Sequence, residues 1–426
     1  MLLPLSTALL LIGFVLAVDR GRVSPLAITV AFLSAILLGY WMLDIGAGTS
    51  VWIFYAAANA AMILGYRLVW VVLSRGSGPV PAAISRRAIV ALRLTSLTVI
   101  VMAAYHLVAS GIPILRPDVE VERFNFTASG LFGIPGRMYL YGLPAVVLGS
   151  TVVQSRMAHP AVGRLVKVNW ISYALAAMLS GFKGGLLNVI VLYALARALS
   201  SRPIALNASK ALRYALLIIA ALGFATAVSL RYSSLGAADM PAAVQYMGAR
   251  LTVIPALPGH HAVTELDGGP QTGLYLLDDL YHFISKYFRI DLGAGPVFPL
   301  DKVVSSQLYA TPLSDDSFIV PVTVGAAPGF YVDFGSAAAI IGMAVMGAVY
   351  AYLVFRVLTT RTVLGSCVLS LAVYFLNTFL VNGSLVYVVL NLAIVSVLVA
   401  ATYAACYAAS QVIEGALGFS VEVPAT

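Results

Sequence analysis

The chain alternates long apolar runs with short polar breaks, and the runs are apolar all the way round rather than at every second position. Eleven of them approach the roughly 20 residues that a helix needs to cross a bilayer. They lie near Leu2 to Val18, Leu26 to Leu43, Val51 to Leu73, Ile89 to Val108, Met138 to Gln154, Val166 to Phe182, Gly184 to Ser200, Tyr214 to Leu230, Ser336 to Phe355, Val363 to Val381 and Ser384 to Cys406. Strands of a membrane barrel would alternate apolar and polar residues, and these runs do not. The pattern predicts an all-α polytopic membrane protein with about 11 spans. Its N-terminal helices occupy 1–230, a long polar interval occupies 231–335, and C-terminal helices with a tail fill 336–426.

Two stretches break the simple pattern. Val168 to Leu199 is only 32 residues, short of the roughly 40 that two crossings require, so the hairpin over 166–200 is expected to be short or re-entrant. Within the polar interval, Asp239 to Leu257 reads as one helix. Thr272 to Phe288 places Leu276, Leu280, Phe283, Ile284 and Tyr287 at helical spacing. That amphipathic pattern fits a helix lying on the membrane or lidding a cavity, and equally a helix packed in a small lobe. A Gly-, Pro- and Asp-rich loop is expected from there to Pro328.

Composition strengthens the membrane reading. Hydrophobic residues make up 61% and charged residues 10%, and the mean hydropathy is +0.96, far from soluble composition. Charge then supplies an orientation. One set of connections holds sixteen of the 25 basic residues against Asp19, Glu414 and Glu422, and this side is read as cytoplasmic. The net charge of +8 is thus a topological signal, not a nucleic-acid footprint. The polar interval falls on the opposite side. The first run has no basic residue before it and Asp19-Arg20-Gly21-Arg22 after it, so it is read as a retained helix, not a signal peptide. Cys367 and Cys406 sit inside apolar runs and set no disulfide framework.

Chemistry is expected in three segments on that opposite side. The connection 109–137 carries Gly111-Ile112-Pro113, the alternation from Asp118 to Glu122, and Arg123; it reads as a solvated edge strand or as a site where Arg123 meets substrate. The turn Ser180-Gly181-Phe182-Lys183-Gly184-Gly185 sets a lysine at the membrane edge, where it either snorkels or pairs with an anion. The interval itself holds Arg250, His260 and His261. The adjacent histidines have no third ligand at a characteristic spacing, so no metal is expected. No nucleotide-binding glycine loop and no Ser-His-Asp context occur, so no cofactor is expected either.

Several of these residues resemble one family. Thr323 and Tyr331-Val332-Asp333-Phe334-Gly335, leading into a helix with Gly342 and Gly347, look like the re-entry segment of bacterial O-antigen and oligosaccharide repeat-unit polymerases. Gly111-Ile112-Pro113 with Arg123 and Phe124, Met247-Gly248-Ala249-Arg250-Leu251, and the Lys183 turn are similar to further elements of that family. Lys183 stands where the family more often has arginine, and its arginine-plus-ten-residues-plus-glycine repeats have no counterpart here.

The resemblance implies a GT-C-like membrane glycosyltransferase of the bacterial inner membrane, with its site facing the periplasm. Such an enzyme transfers a glycan from a polyprenyl-diphosphate carrier to a hydroxyl of the next carrier-linked repeat, without metal. Donor, acceptor and bilayer would be its partners, together with a chain-length regulator protein. A lipid-diphosphate leaving group calls for cations, here Arg123, Lys183 and Arg250. Asp333 and His260 are the candidates to orient or deprotonate the attacking hydroxyl, with Arg250 as the catalytic cation. Tyr331, Arg137 and Arg289 complete the set as substrate-binding candidates. An O-antigen ligase using a lipid A core acceptor and a flippase-type transporter are the competing readings. On this reading, Arg250→Ala and Lys183→Ala abolish glycan extension while protein abundance stays near normal, as measured on the host's surface polysaccharide.

Overall fold

The computed structural model describes residues 2–19, 23–75, 84–116, 119, 133–157, 160–182, 184–200, 208–229, 240–266, 273–288, 290, 298–310, 312–313 and 322–416. About 88% of it is helical, with no strand among the described residues. The helices are Leu2–Val18 (α1), Pro25–Ala47 (α2), Val51–Ser74 (α3), Arg86–Ala109 (α4), Leu143–Met157 (α5), Pro160–Leu179 (α6), Gly185–Ala198 (α7) and Ala208–Ser229 (α8). The polar interval adds Met240–Leu251 (α9), Val253–Thr264 (α10), Leu274–Phe288 (α11) and Leu300–Tyr309 (α12). Ala326–Thr359 (α13), Val363–Asn382 (α14) and Leu385–Ala416 (α15) close the chain. Among the described residues, six helices are long and apolar enough to cross a membrane: α2, α3, α4 with its continuation, α13, α14 and most of α15. The other five apolar runs are helical too, and α7 has only 14 residues.

In lipid, helices gain no hydrophobic advantage from associating, so close backbone approach and internal hydrogen bonds must hold them together. Both devices are present. α3 and α13 pack along most of their lengths. Gly65 sits against the Ala344 carbonyl, and Gly347 against the Met62 carbonyl; at either glycine a Cβ would collide with backbone. Thr29 on α2 donates to Asn377 Oδ1 on α14 at 2.7 Å, and Tyr350 on α13 donates to the Pro25 carbonyl at 3.2 Å. Asn169 on α6 reaches Ser96 on α4 at 3.2 Å and Ser150 on α5 at 3.0 Å. At one end of the bundle, Arg67 pairs with Asp19 at 2.7 Å. The other end gathers the C-termini of α2 and α14, the N-termini of α3, α13 and α15, and the helices of the polar interval.

Three sequence expectations are corrected. The single helix over Asp239 to Leu257 is two helices broken at Thr252 (φ −124°, ψ −76°), and the second runs on to Thr264, taking His260 and His261 into helix. Pro255 explains the break: its ring cannot donate to the Leu251 carbonyl and crowds it, so the preceding helix must stop. The loop expected up to Pro328 contains α12, whose Leu300, Val304 and Leu308 share one face turned into an apolar cluster. Finally, the re-entering helix starts at Ala326, ten residues before the expected Ser336, and is interrupted at Gly335 (φ 83°, ψ 173°), a conformation that only glycine adopts without strain.

Gly347→Leu should destabilise the bundle by at least about 1–3 kcal/mol, the usual cost of overpacking. Gly223→Ala, whose Cβ would meet nothing within 4 Å, should be neutral or stabilising. Thermal melting in detergent distinguishes the two.

Candidate functional site

The Gly335 kink decides where the site lies. Immediately before it, Asp333 is buried and points away from its own helix to start another. Its Oδ1 accepts from Tyr275 N at 3.0 Å, and its backbone carbonyl accepts from Gly273 N at 3.1 Å. Asp333 thereby caps α11, whose Tyr275 is 58 positions away in the chain. A carboxylate at a helix N-terminus satisfies free backbone donors and offsets the positive end of the dipole. α11 is thereby fixed at its first turn.

From that turn α11 runs over a cavity of about 860 Å³. One wall is α11, with Asp279, His282 and Phe283. α12 supplies Asp301 and Lys302, and Thr323 comes from the segment before α13. The opposite wall is the end of α14 with Phe375, Thr378 and Asn382, the start of α15 with Ser384 and Tyr387, and Tyr141. Tyr141 belongs to a π-helical turn, Met138–Gly142, which follows Ile134–Arg137 and leads into α5. Such turns add a residue to the helix and re-aim its side chains. Here the Tyr141 ring packs on Phe375 with centroids 4.7 Å apart, and its hydroxyl lies 3.5 Å from that of Tyr387. One turn further along each helix, Arg137 Nε donates to Asn391 Oδ1 at 3.4 Å. A smaller pocket on the other side of the carboxylates is lined by Asp279, Asp301, Asp333, Phe330 and Gly383.

Two carboxyl groups give the cavity its electrostatic character. Burial raises Asp279 from the ordinary 3.8 to about 6; neighbouring Asp333 and Asp278 push the same way, while the Ser384 hydroxyl at 3.2 Å and the Leu300 N–H pull it back. Burial raises Asp301 to about 7, with Asp279 adding to the shift and the Val324 N–H opposing it. Groups with values near neutrality exchange protons readily at physiological pH, which suits general acid–base work.

The sequence-derived set is only partly brought together. Asp333 lines the smaller pocket, and Arg137 stands beside the aromatic wall. His260 is buried elsewhere, with Nε2 3.0 Å from Asp44 Oδ1. Asp44 also accepts from Thr49 Oγ1 and, at 2.7 Å, from Trp52 N. The imidazole is therefore part of a junction between α2 and α10 and is not among the residues lining either cavity. Arg250 also lines neither: its Nε donates to Tyr246 at 3.0 Å, with the guanidinium over that ring. The Tyr331 ring packs edge-on against Phe54, centroids 5.2 Å apart, instead of facing the cavity. Arg123, Lys183 and Arg289 lie outside the described residues, as do Asp118, Glu120 and Glu122.

Sequence reasoning missed Asp279, Asp301, Lys302 and Asp44. For Asp279 the signal was present: on a helical wheel it falls among Leu276, Leu280 and Phe283, the face that must be buried. The fold and the cavity define a polytopic helical membrane protein with a polar chamber at one end of its bundle. No family model matches the chain, and neither a curated protein nor a solved structure does.

The sign of the pH dependence follows from the two carboxyl groups. Their folded values lie above 3.8, so the folded state binds more protons than the unfolded chain, and their stabilising contribution, complete below about pH 4, is lost as pH rises through 6 and 7. Melting should drop by a few degrees between pH 5 and pH 8. Asp301→Asn should flatten most of that slope, and an unchanged slope would show that these groups do not carry it.

Proposed function

We propose that the protein is a membrane glycosyltransferase of the repeat-unit polymerase type. It extends a glycan carried on a polyprenyl diphosphate, and the 860 Å³ chamber is its reaction site. The chamber carries this reading because it combines what the transfer needs: carboxyl groups near neutrality, a lysine, several hydroxyl and amide side chains, and an aromatic wall beside an apolar bundle. The distribution of Lys and Arg supports placing the chamber on the periplasmic side; eleven membrane-associated helices in a GT-C-like arrangement are what the resemblance to repeat-unit polymerases implies.

In the transfer, the acceptor hydroxyl oxygen attacks the anomeric carbon of the donor. The new C–O bond forms as the bond to the diphosphate oxygen breaks. Asp279, ionised above about pH 6, takes the hydroxyl proton. Asp301, still partly protonated near neutrality, limits the repulsion between the two carboxyl groups. Lys302 offsets the charge that develops on the departing diphosphate. Thr323, Asn382 and Ser384 supply hydrogen bonds to sugar hydroxyls, and Tyr387 offers an apolar ring for a pyranose face.

Purified protein in vesicles, supplied with the carrier-linked repeat unit, tests the assignment. Asp279→Asn should slow extension by about 10²–10⁴-fold, the usual contribution of a general base. Lys302→Ala should also be strongly impaired. Should Arg250→Ala abolish extension while both of these variants extend normally, the chamber is not the site. Deleting the gene in its host should leave single repeats on the carrier; unattached polymer would indicate a ligase, and units trapped inside a flippase.

A further inference from the structure

α11 has a second face that the chamber does not use. Leu274, Leu277 and Tyr281 recur at spacings of three and four and form one stripe, on the side away from Leu276 and Phe283. Leu274 is 47% exposed and Leu277 51% exposed, a large outlay of apolar surface for a segment embedded in the polar interval. Asp278, His282 and Ser285 border the stripe along one edge. The helix thus has an apolar edge, a polar edge and a buried face, the three-part pattern of a helix seated at a membrane interface.

The bundle fixes where the apolar edge starts. The α11 N-terminus is fastened to Asp333, and Gly273 lies so close to Phe334 that a Cβ there would be 3.2 Å from the ring. Phe334 is 42% exposed. Beyond the kink, the membrane-length helix α13 continues with exposed Ile341, Val345 and Val349 at helical spacing, Ile341 at 64%. The N-terminus of α11 is thus fastened at the kink from which the exposed apolar face of α13 runs on.

We infer that α11 is seated in the membrane leaflet at its own end of the bundle, with lipid acyl chains against the Leu274, Leu277 and Tyr281 edge. Because the other side of the same helix forms a wall of the chamber, a single helix thickness separates the chamber from lipid. A substrate with a hydrocarbon anchor can keep its chain in the leaflet while its head group occupies the chamber. The seating of α11 rests on exposure and packing and stands whether or not the chamber transfers sugars.

Spin labels test it. Leu274→Cys and Leu277→Cys are each placed in a Cys406→Ser background, where the remaining Cys367 is buried. The full-length proteins are reconstituted into phosphatidylethanolamine–phosphatidylglycerol vesicles. Collision with oxygen, which concentrates in lipid, is compared with collision with a water-soluble nickel chelate. Ile341→Cys is the lipid reference, and Gln307→Cys, exposed on α12, is the water reference. Both α11 labels should give oxygen-to-nickel ratios near that of Ile341 and severalfold above that of Gln307. Ratios equal to that of Gln307 at both positions would overturn the inference, whatever the proteins do in an extension assay.

Discussion

The close approach of α3 and α13 is the constraint on which the rest of the molecule depends. Helices in lipid need backbone contact to adhere, and Gly65 and Gly347 let two carbonyls enter spaces that any side chain would fill. With α13 held in this way, its interruption at Gly335 occurs at a fixed place, and the Asp333 carboxylate is presented in a fixed direction. α11 starts there because its first backbone N–H groups have an acceptor there. The chamber beneath α11 is thus a consequence, several steps removed, of two glycines in the membrane.

The chamber is assembled from side chains that cost free energy to bury. Carboxylates remain charged in a partly dry wall only where hydrogen bonds or cations compensate. Asp279 and Asp301 receive one or two neutral donors each, and burial, reinforced by neighbouring carboxylates, raises both above the ordinary carboxylate range. Asp44 shows the contrasting solution. It has three donors in Thr49, Trp52 and His260, and its carboxylate is tied down on both oxygens. One acid has the surroundings of a strut and the other two the surroundings of reactive groups.

The sequence made the helices readable because each apolar run is long enough to be unambiguous. The amphipathic stretch after Thr272 was readable because its period is regular. Asp333 stood out within the Tyr331–Gly335 segment, but its partner could not be read, since a cap across 58 residues leaves no local spacing. The Thr252 break was legible in principle from Pro255. For His260, only the arrangement of α2 against α10 reveals the buried Asp44 beside it, 216 positions away in the chain. The π turn that brings Tyr141 to the chamber has no sequence signature at all.

The polar interval is moored to the bundle at three separate points: His260 to Asp44, Tyr275 to Asp333, and Asp279 to Ser384. They tie helices of the interval to Asp44 on α2, to Asp333 on α13 and to Ser384 in the turn between α14 and α15. Excised as a soluble fragment, the interval would leave behind Asp44 and Ser384, two of the groups that order it. Probes raised against the isolated piece would therefore recognise a different shape from the one it has in the whole protein.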